Sequence, residues 1–151
     1  MLIVTGKSRY FRKPELFVNG GLESATTGYS TNGTPTITHV ADPRTGSLGS
    51  NCANIVRGTQ SFCLYQDFTL EVGRSYTFKF WYKHDTANFC GWGHYKDGWT
   101  LVTYVNNLAA TDWTEVTATI IPTSATNRIG VIVEDAKGEI GKFDDLSLRL
   151  T

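Results

Sequence analysis

Phe143-Asp144-Asp145-Leu146-Ser147-Leu148-Arg149-Leu150 alternates with the two-residue period of a β-strand. On that period Asp144, Leu146, Leu148 and Leu150 share one face, and Phe143, Asp145, Ser147 and Arg149 share the other. An aspartate in line with three leucines faces inward at the start of the strand, where an unpaired carboxylate is costly. It needs a partner, and a cation is the usual one.

The same period runs through Tyr76-Thr77-Phe78-Lys79-Phe80-Trp81-Tyr82-Lys83, where Tyr76, Phe78, Phe80 and Tyr82 form a core face. Residues 114–121 repeat it with Val116, Ala118 and Ile120 inside. Working outward, further strands are predicted over 15–18, 36–40, 52–57, 62–70, 99–105 and 128–134, all rich in Val, Ile, Thr, Tyr and Phe. Asn32-Gly33, Arg57-Gly58, Val72-Gly73-Arg74, Asp97-Gly98, Asn106-Asn107 and Lys137-Gly138 supply turns between them. No ten-residue amphipathic helix is visible. The pattern predicts an all-β protein, a two-sheet antiparallel jelly-roll sandwich over residues 15–151.

Residues 1–14 read differently. Lys7, Arg9, Arg12 and Lys13 flank Tyr10 and Phe11, no acidic residue accompanies them, and Pro14 closes the segment. This predicts an extended N-terminal arm that docks on an acidic partner surface with an apolar groove. Over the whole chain, 14 basic and 14 acidic side chains cancel, so no global field points to nucleic acid or an anionic membrane. No apolar run approaches the roughly 20 residues of a membrane-spanning helix. The short apolar start Met1-Leu2-Ile3-Val4 ends too soon for a secretory signal. Cys52, Cys63 and Cys90 lack CxxC spacing, which argues against structural zinc and leaves open one disulfide with a free thiol, or three thiols.

Paired with the ending, the opening Phe17-Val18-Asn19-Gly20-Gly21-Leu22-Glu23 resembles the jelly-roll carbohydrate-binding modules that accompany cellulases and xylanases. Gln66 with Phe68, Leu70, Gly73 and Tyr76, then Phe80-Trp81 and Asp112-Trp113-Thr114, extend the resemblance over residues 16–150. It implies a binding or structural module rather than an enzyme. It also implies one structural calcium tying the first strand to the last, with Glu23 and Asp144 at the matching positions and main-chain carbonyls completing the shell.

Sugar recognition needs flat aromatic faces and planar polar groups. Residues 88–99 concentrate both, with Trp92, Tyr95 and Trp99 beside His94 and Asp97, among glycines that let rings stand proud of a loop. Catalysis lacks a motif. No two carboxylates are paired as glycoside hydrolysis requires, and no nucleophile or phosphate-loop signature is present.

Two functions fit this sequence. One is a non-enzymatic structural or adhesive component of an assembly, such as a phage decoration or tail protein, anchored to other subunits by its arm and placed on a virion or extracellular surface. The other is the glycan-binding module of an exported glycoside hydrolase.

Overall fold

The computed structural model describes residues 13–24, 26–42, 44–47, 49–85, 89–134 and 136–151. Ten strands among them form two five-stranded antiparallel sheets. In the first sheet β1 (Ser30–Thr31), β4 (Phe62–Thr69), β9 (Thr126–Val133), β6 (Cys90–Lys96) and β7 (Thr100–Leu108) follow in the order β1-β4-β9-β6-β7. In the second the order is β2-β3-β10-β5-β8, with β2 (Thr36–Val40), β3 (Cys52–Val56), β10 (Ile140–Leu150), β5 (Tyr76–His84) and β8 (Thr114–Ile120). This is the jelly-roll sandwich that the alternation predicts.

The inner faces meet in one core. Phe78 and Phe80 from β5, Phe143, Leu146 and Leu148 from β10, Leu64 from β4 and Ile129 and Val131 from β9 are all buried in it. Each such side chain contributes roughly 1.5–3 kcal/mol of burial free energy, so the two sheets hold each other without a cross-link. Cys52, Cys63 and Cys90 are buried free thiols. Burial pushes them up to about 11, 11 and 12 respectively, which keeps them protonated and unreactive.

The structure corrects the sequence reading in three places. The stretch carrying Trp92, His94 and Tyr95 is not a loop: Cys90–Lys96 is a central strand between β9 and β7. Its glycines belong in that strand because their Cβ positions are taken. A Cβ on Gly91 would strike the Val105 carbonyl oxygen, and one on Gly93 would stand 3.0 Å from the rings of both Phe62 and Tyr95.

The second correction concerns β10. The register to β5 shifts between Asp144 and Ser147, and Asp145 has a φ of 48°, so a bulge reverses the alternation midway. Phe143 therefore joins Leu146 and Leu148 in the core, and Asp144 pairs opposite Trp81 on the other side of the sheet.

Third, residues 15–18 do not form a strand. Glu15 takes the ladder position with its side chain, accepting Leu148 N at 2.6 Å and Arg149 Nε at 2.9 Å. Gln66 holds the next residues, accepting Val18 N at 3.1 Å and donating to Val18 O at 2.6 Å. Of the predicted arm, Lys7, Arg9, Tyr10, Phe11 and Arg12 lie outside the described residues, and Lys13 is exposed.

Candidate functional site

Cross-strand register builds an aromatic face on the outer side of the first sheet. Asp67, Arg128, Tyr95 and Leu101 form one row across β4, β9, β6 and β7. Tyr65, Gly130, Gly93 and Tyr104 form the next, and Phe62, Ile132 and Gly91 the third. The glycines at the centre leave room for rings rooted on neighbouring strands to lie over the sheet. A Cβ on Gly130 would meet the Leu64 carbonyl oxygen, so this row requires a residue without one.

Over that floor Phe62 stacks on Tyr65 with centroids 5.5 Å apart and an interplanar angle of 13°. Tyr95 sits 5.0 Å from Phe62. Trp99 stands edge-on to Phe62, Tyr65 and Tyr95 at 5.9, 5.5 and 5.4 Å. It comes from the turn between β6 and β7, where Asp97 and Gly98 both take positive φ and bring the indole back over the face. Trp99 keeps 49% of its surface exposed, so the cluster offers an indole to solvent.

Arg128 lies between two rings, 4.1 Å from the Trp99 centroid and 4.3 Å from that of Tyr65. Asp67 accepts its Nε at 2.7 Å and an Nη at 3.0 Å, a bidentate pair that fixes the guanidinium plane and holds its pKa above the usual value. Beside it opens a cleft of about 350 Å³ between Asp67, Thr69, Asp97, Gly98 and Thr126. The arrangement supplies a rigid, half-dry platform with planar hydrogen-bonding groups at its edge, suited to a flat ligand with hydroxyls on its rim.

Of the five ligand-binding residues predicted from sequence, Tyr95 and Trp99 lie on this face and Asp97 lies at its rim. Asp97 accepts hydrogen bonds from the Ser124 and Thr126 hydroxyls, the latter at 2.8 Å, and these hold its carboxyl below the usual value. Trp92 and His94 point the other way. Trp92 is a core residue packed on Phe78 at 5.6 Å, because alternation along β6 sends it inward.

His94 is buried, with Nε2 2.8 Å from Asn127 Oδ1. The Asn127 amide donates to the Ser124 and Ala125 carbonyls, so its oxygen faces the ring and His94 Nε2 carries the proton. Burial holds the His94 pKa below its usual value against the opposing Asn127 hydrogen bond.

Sequence reasoning missed Phe62, Tyr65, Tyr104 and Arg128. A signal was present in Arg128, a lone cation in an apolar strand, but its ring partners come from β4 and from the β6–β7 turn.

A family of carbohydrate-binding domains matches residues 14–137. The chain belongs to this family. Solved structures agree with the carbohydrate-binding domain fold. The chain resembles the CBM22-1 xylan-binding domain from Paenibacillus barcinonensis Xyn10C with a TM-score of 0.67 at 14% identity, covering 86% of this chain and 90% of that one. It resembles TmCBM61 in complex with beta-1,4-galactotriose at 0.63 and 18%, covering 91% and 99%. The enzymatically active domain of the bacteriophage CBA120 tailspike protein 4 aligns at 0.64 and 16%, covering 91% of this chain and 21% of that one. A search of curated proteins found no match.

The two residues predicted to hold calcium each border the chain that leads into β3, Glu23 at Asn51 and Asp144 at Arg44 and Ser47. Glu23 is exposed and accepts Asn51 N at 2.9 Å and Asn51 Nδ2 at 3.2 Å. Asp144 is fully buried, with Oδ1 accepting Asp145 N at 2.8 Å and Oδ2 without a hydrogen-bond partner among the described residues. Burial pushes this carboxyl up to about 6, the Asp145 charge adding to the rise while Ser47 and Arg44 oppose it. Arg44 itself pairs with Asp145 at 2.6 Å and lies 4.5 Å from the Trp81 ring centroid. Among the described residues no three His, Cys, Asp or Glu side chains gather into a metal cage. The orphaned buried oxygen of Asp144 nonetheless fits a hard cation that takes most of its ligands from main-chain oxygens.

Proposed function

We propose that this carbohydrate-binding domain is a non-catalytic module that binds a polysaccharide along the outer face of the first sheet, with Trp99 as the principal sugar platform. The observation that carries the reading is the four-ring cluster of Phe62, Tyr65, Tyr95 and half-exposed Trp99, braced by Arg128. Phe62 and Tyr65 are buried in an apolar cluster separate from the sandwich core, and they hold the exposed Trp99 in a rigid alignment that favours stacking on sugar C–H surfaces. Asp67, Asp97 and Thr126 at the cleft present acceptors and donors to ring hydroxyls. Titrating the protein against soluble polysaccharides tests the reading. Retention that disappears in Trp99→Ala supports it, and no retention on any polysaccharide rejects it.

The same reading includes one structural calcium at Asp144, with Glu23 as a second carboxylate. Bound there, the ion would neutralise a buried charge and tie the 17–23 loop to β10. That loop already bonds to the strand, Leu146 N donating to Gly20 O at 2.8 Å.

A second reading sets the module in an assembly, as an adhesive subunit on a virion or extracellular surface attached through Lys7, Arg9, Tyr10, Phe11, Arg12 and Lys13. The likeness to a domain of a phage tailspike supports it, as the likeness to the Xyn10C xylan-binding domain supports the first reading. Its test is removal of residues 1–13, which should leave a folded sandwich that no longer joins its assembly.

A further inference from the structure

The two ends of the aromatic face differ in charge. At one end Arg128 is neutralised by Asp67. Outward positions on β9 then run Arg128, Gly130 and Ile132, and the next is Glu134, just past the strand. Six residues at about 3.3 Å each place Glu134 roughly 20 Å from Arg128 along the face.

Glu134 borders the rings. Its Oε2 accepts the Tyr104 hydroxyl at 2.8 Å and the Asn106 amide at 3.4 Å, and its Oε1 accepts the Ser61 hydroxyl at 3.1 Å. Tyr104 packs on the outer cluster of Phe62, Tyr65 and Ile132. All three donors are neutral, and among the described residues no Lys, Arg or His forms an ion pair with this carboxylate. Glu134 is therefore a pinned negative charge at the far end of the platform. A carboxylate has about four acceptor positions, and three are occupied.

We propose that Glu134 is a specificity-determining residue of this face. It accepts a hydrogen bond from a hydroxyl of an uncharged polysaccharide and repels polymers that carry carboxylate or sulfate groups. A fixed carboxylate without a counter-ion acts against an anionic ligand by like-charge juxtaposition, while a hydroxyl meets its remaining acceptor position at no such cost. The inference rests on the glycan-binding reading above.

The test uses whichever neutral polysaccharide the protein retains best, and the same polymer after chemical carboxymethylation. At low salt the unaltered protein should bind the neutral form at least about tenfold more tightly, with the gap narrowing as salt screens the repulsion. Glu134→Gln and Glu134→Ala should bring the two affinities within about twofold and abolish the salt dependence of their ratio. The ratio is the readout, because a change in folding alone lowers both affinities together. A ratio unchanged in both variants, or an unaltered protein that prefers the carboxymethylated polymer, overturns the role of Glu134 while leaving glycan binding intact. Retention of no polymer at all overturns both.

Discussion

Trp92 and Trp99 are seven positions apart, and truncating each to alanine should give opposite phenotypes. Trp92 is 6% exposed and wedged against Phe78 in the core. Trp92→Ala should cost about 3–5 kcal/mol, the range for emptying a buried aromatic site. At about 2–4 °C per kcal/mol for a chain of this size, the melting temperature falls by about 6–20 °C. Affinity for polysaccharide, measured by calorimetry on the fraction still folded, should stay the same.

Trp99 buries only half its surface, on the order of 100 Å². At about 25 cal/mol per Å², its removal costs at most about 2.5 kcal/mol, an upper bound because the unfolded chain already covers part of that area. Arg128 keeps Tyr65 and Asp67 as partners when the indole is gone. Binding should suffer far more. A central aromatic contact is worth about 2 kcal/mol or more, so the dissociation constant should rise at least about 30-fold. The assignment of faces is refuted if Trp92→Ala loses binding without losing stability, or if Trp99→Ala binds as tightly as the parent.

His94 gives a pH signature. Its folded pKa is depressed, so between that value and the unfolded value of about 6.5 the unfolded chain binds the extra proton. Its contribution is complete above about pH 6.5 and is lost as pH falls toward the folded pKa, and denaturant midpoints at pH 7.5 and 5 should drop less in His94→Gln than in the parent. For calcium, melting temperatures in chelator and in excess calcium should differ by several degrees, with the difference gone in Asp144→Asn; identical parent melts would remove the ion. Gly130→Ala should cost about 1–3 kcal/mol by forcing β9 away from the Leu64 carbonyl, read as an earlier chemical-denaturation midpoint. An exchange of Arg9 and Arg12 for Glu should weaken attachment of the protein to its assembly more at low salt than at high, and no change in co-sedimentation would count against the arm.

What the sequence determined by itself was the sandwich. In β5 the alternation of Tyr76, Phe78, Phe80 and Tyr82 with polar residues leaves one arrangement that buries the aromatics, and β8 follows the same logic. Side-chain direction in a regular strand depends on position parity alone, so it is readable along the chain. Asp144 is buried as expected but not for the expected reason, because the bulge at Asp145 puts it on the side of the sheet opposite Leu146 and Leu148, which parity along the chain does not show.

The sequence pointed to Tyr95, Asp97 and Trp99, and tertiary structure alone assembled the candidate binding face around them. Gly91 and Gly93 look like loop residues until Val105 and Phe62 are seen to occupy their missing Cβ positions, and those partners lie 14 and 31 residues away along the chain. The same holds for the platform. Phe62 and Tyr65 come from β4, Arg128 from β9 and Trp99 from a turn, and only the β4-β9-β6 strand order places the four together. Local patterning encodes which side of a strand faces the core, whereas the grouping of residues across strands follows from sheet order, a non-local property set by packing the whole chain.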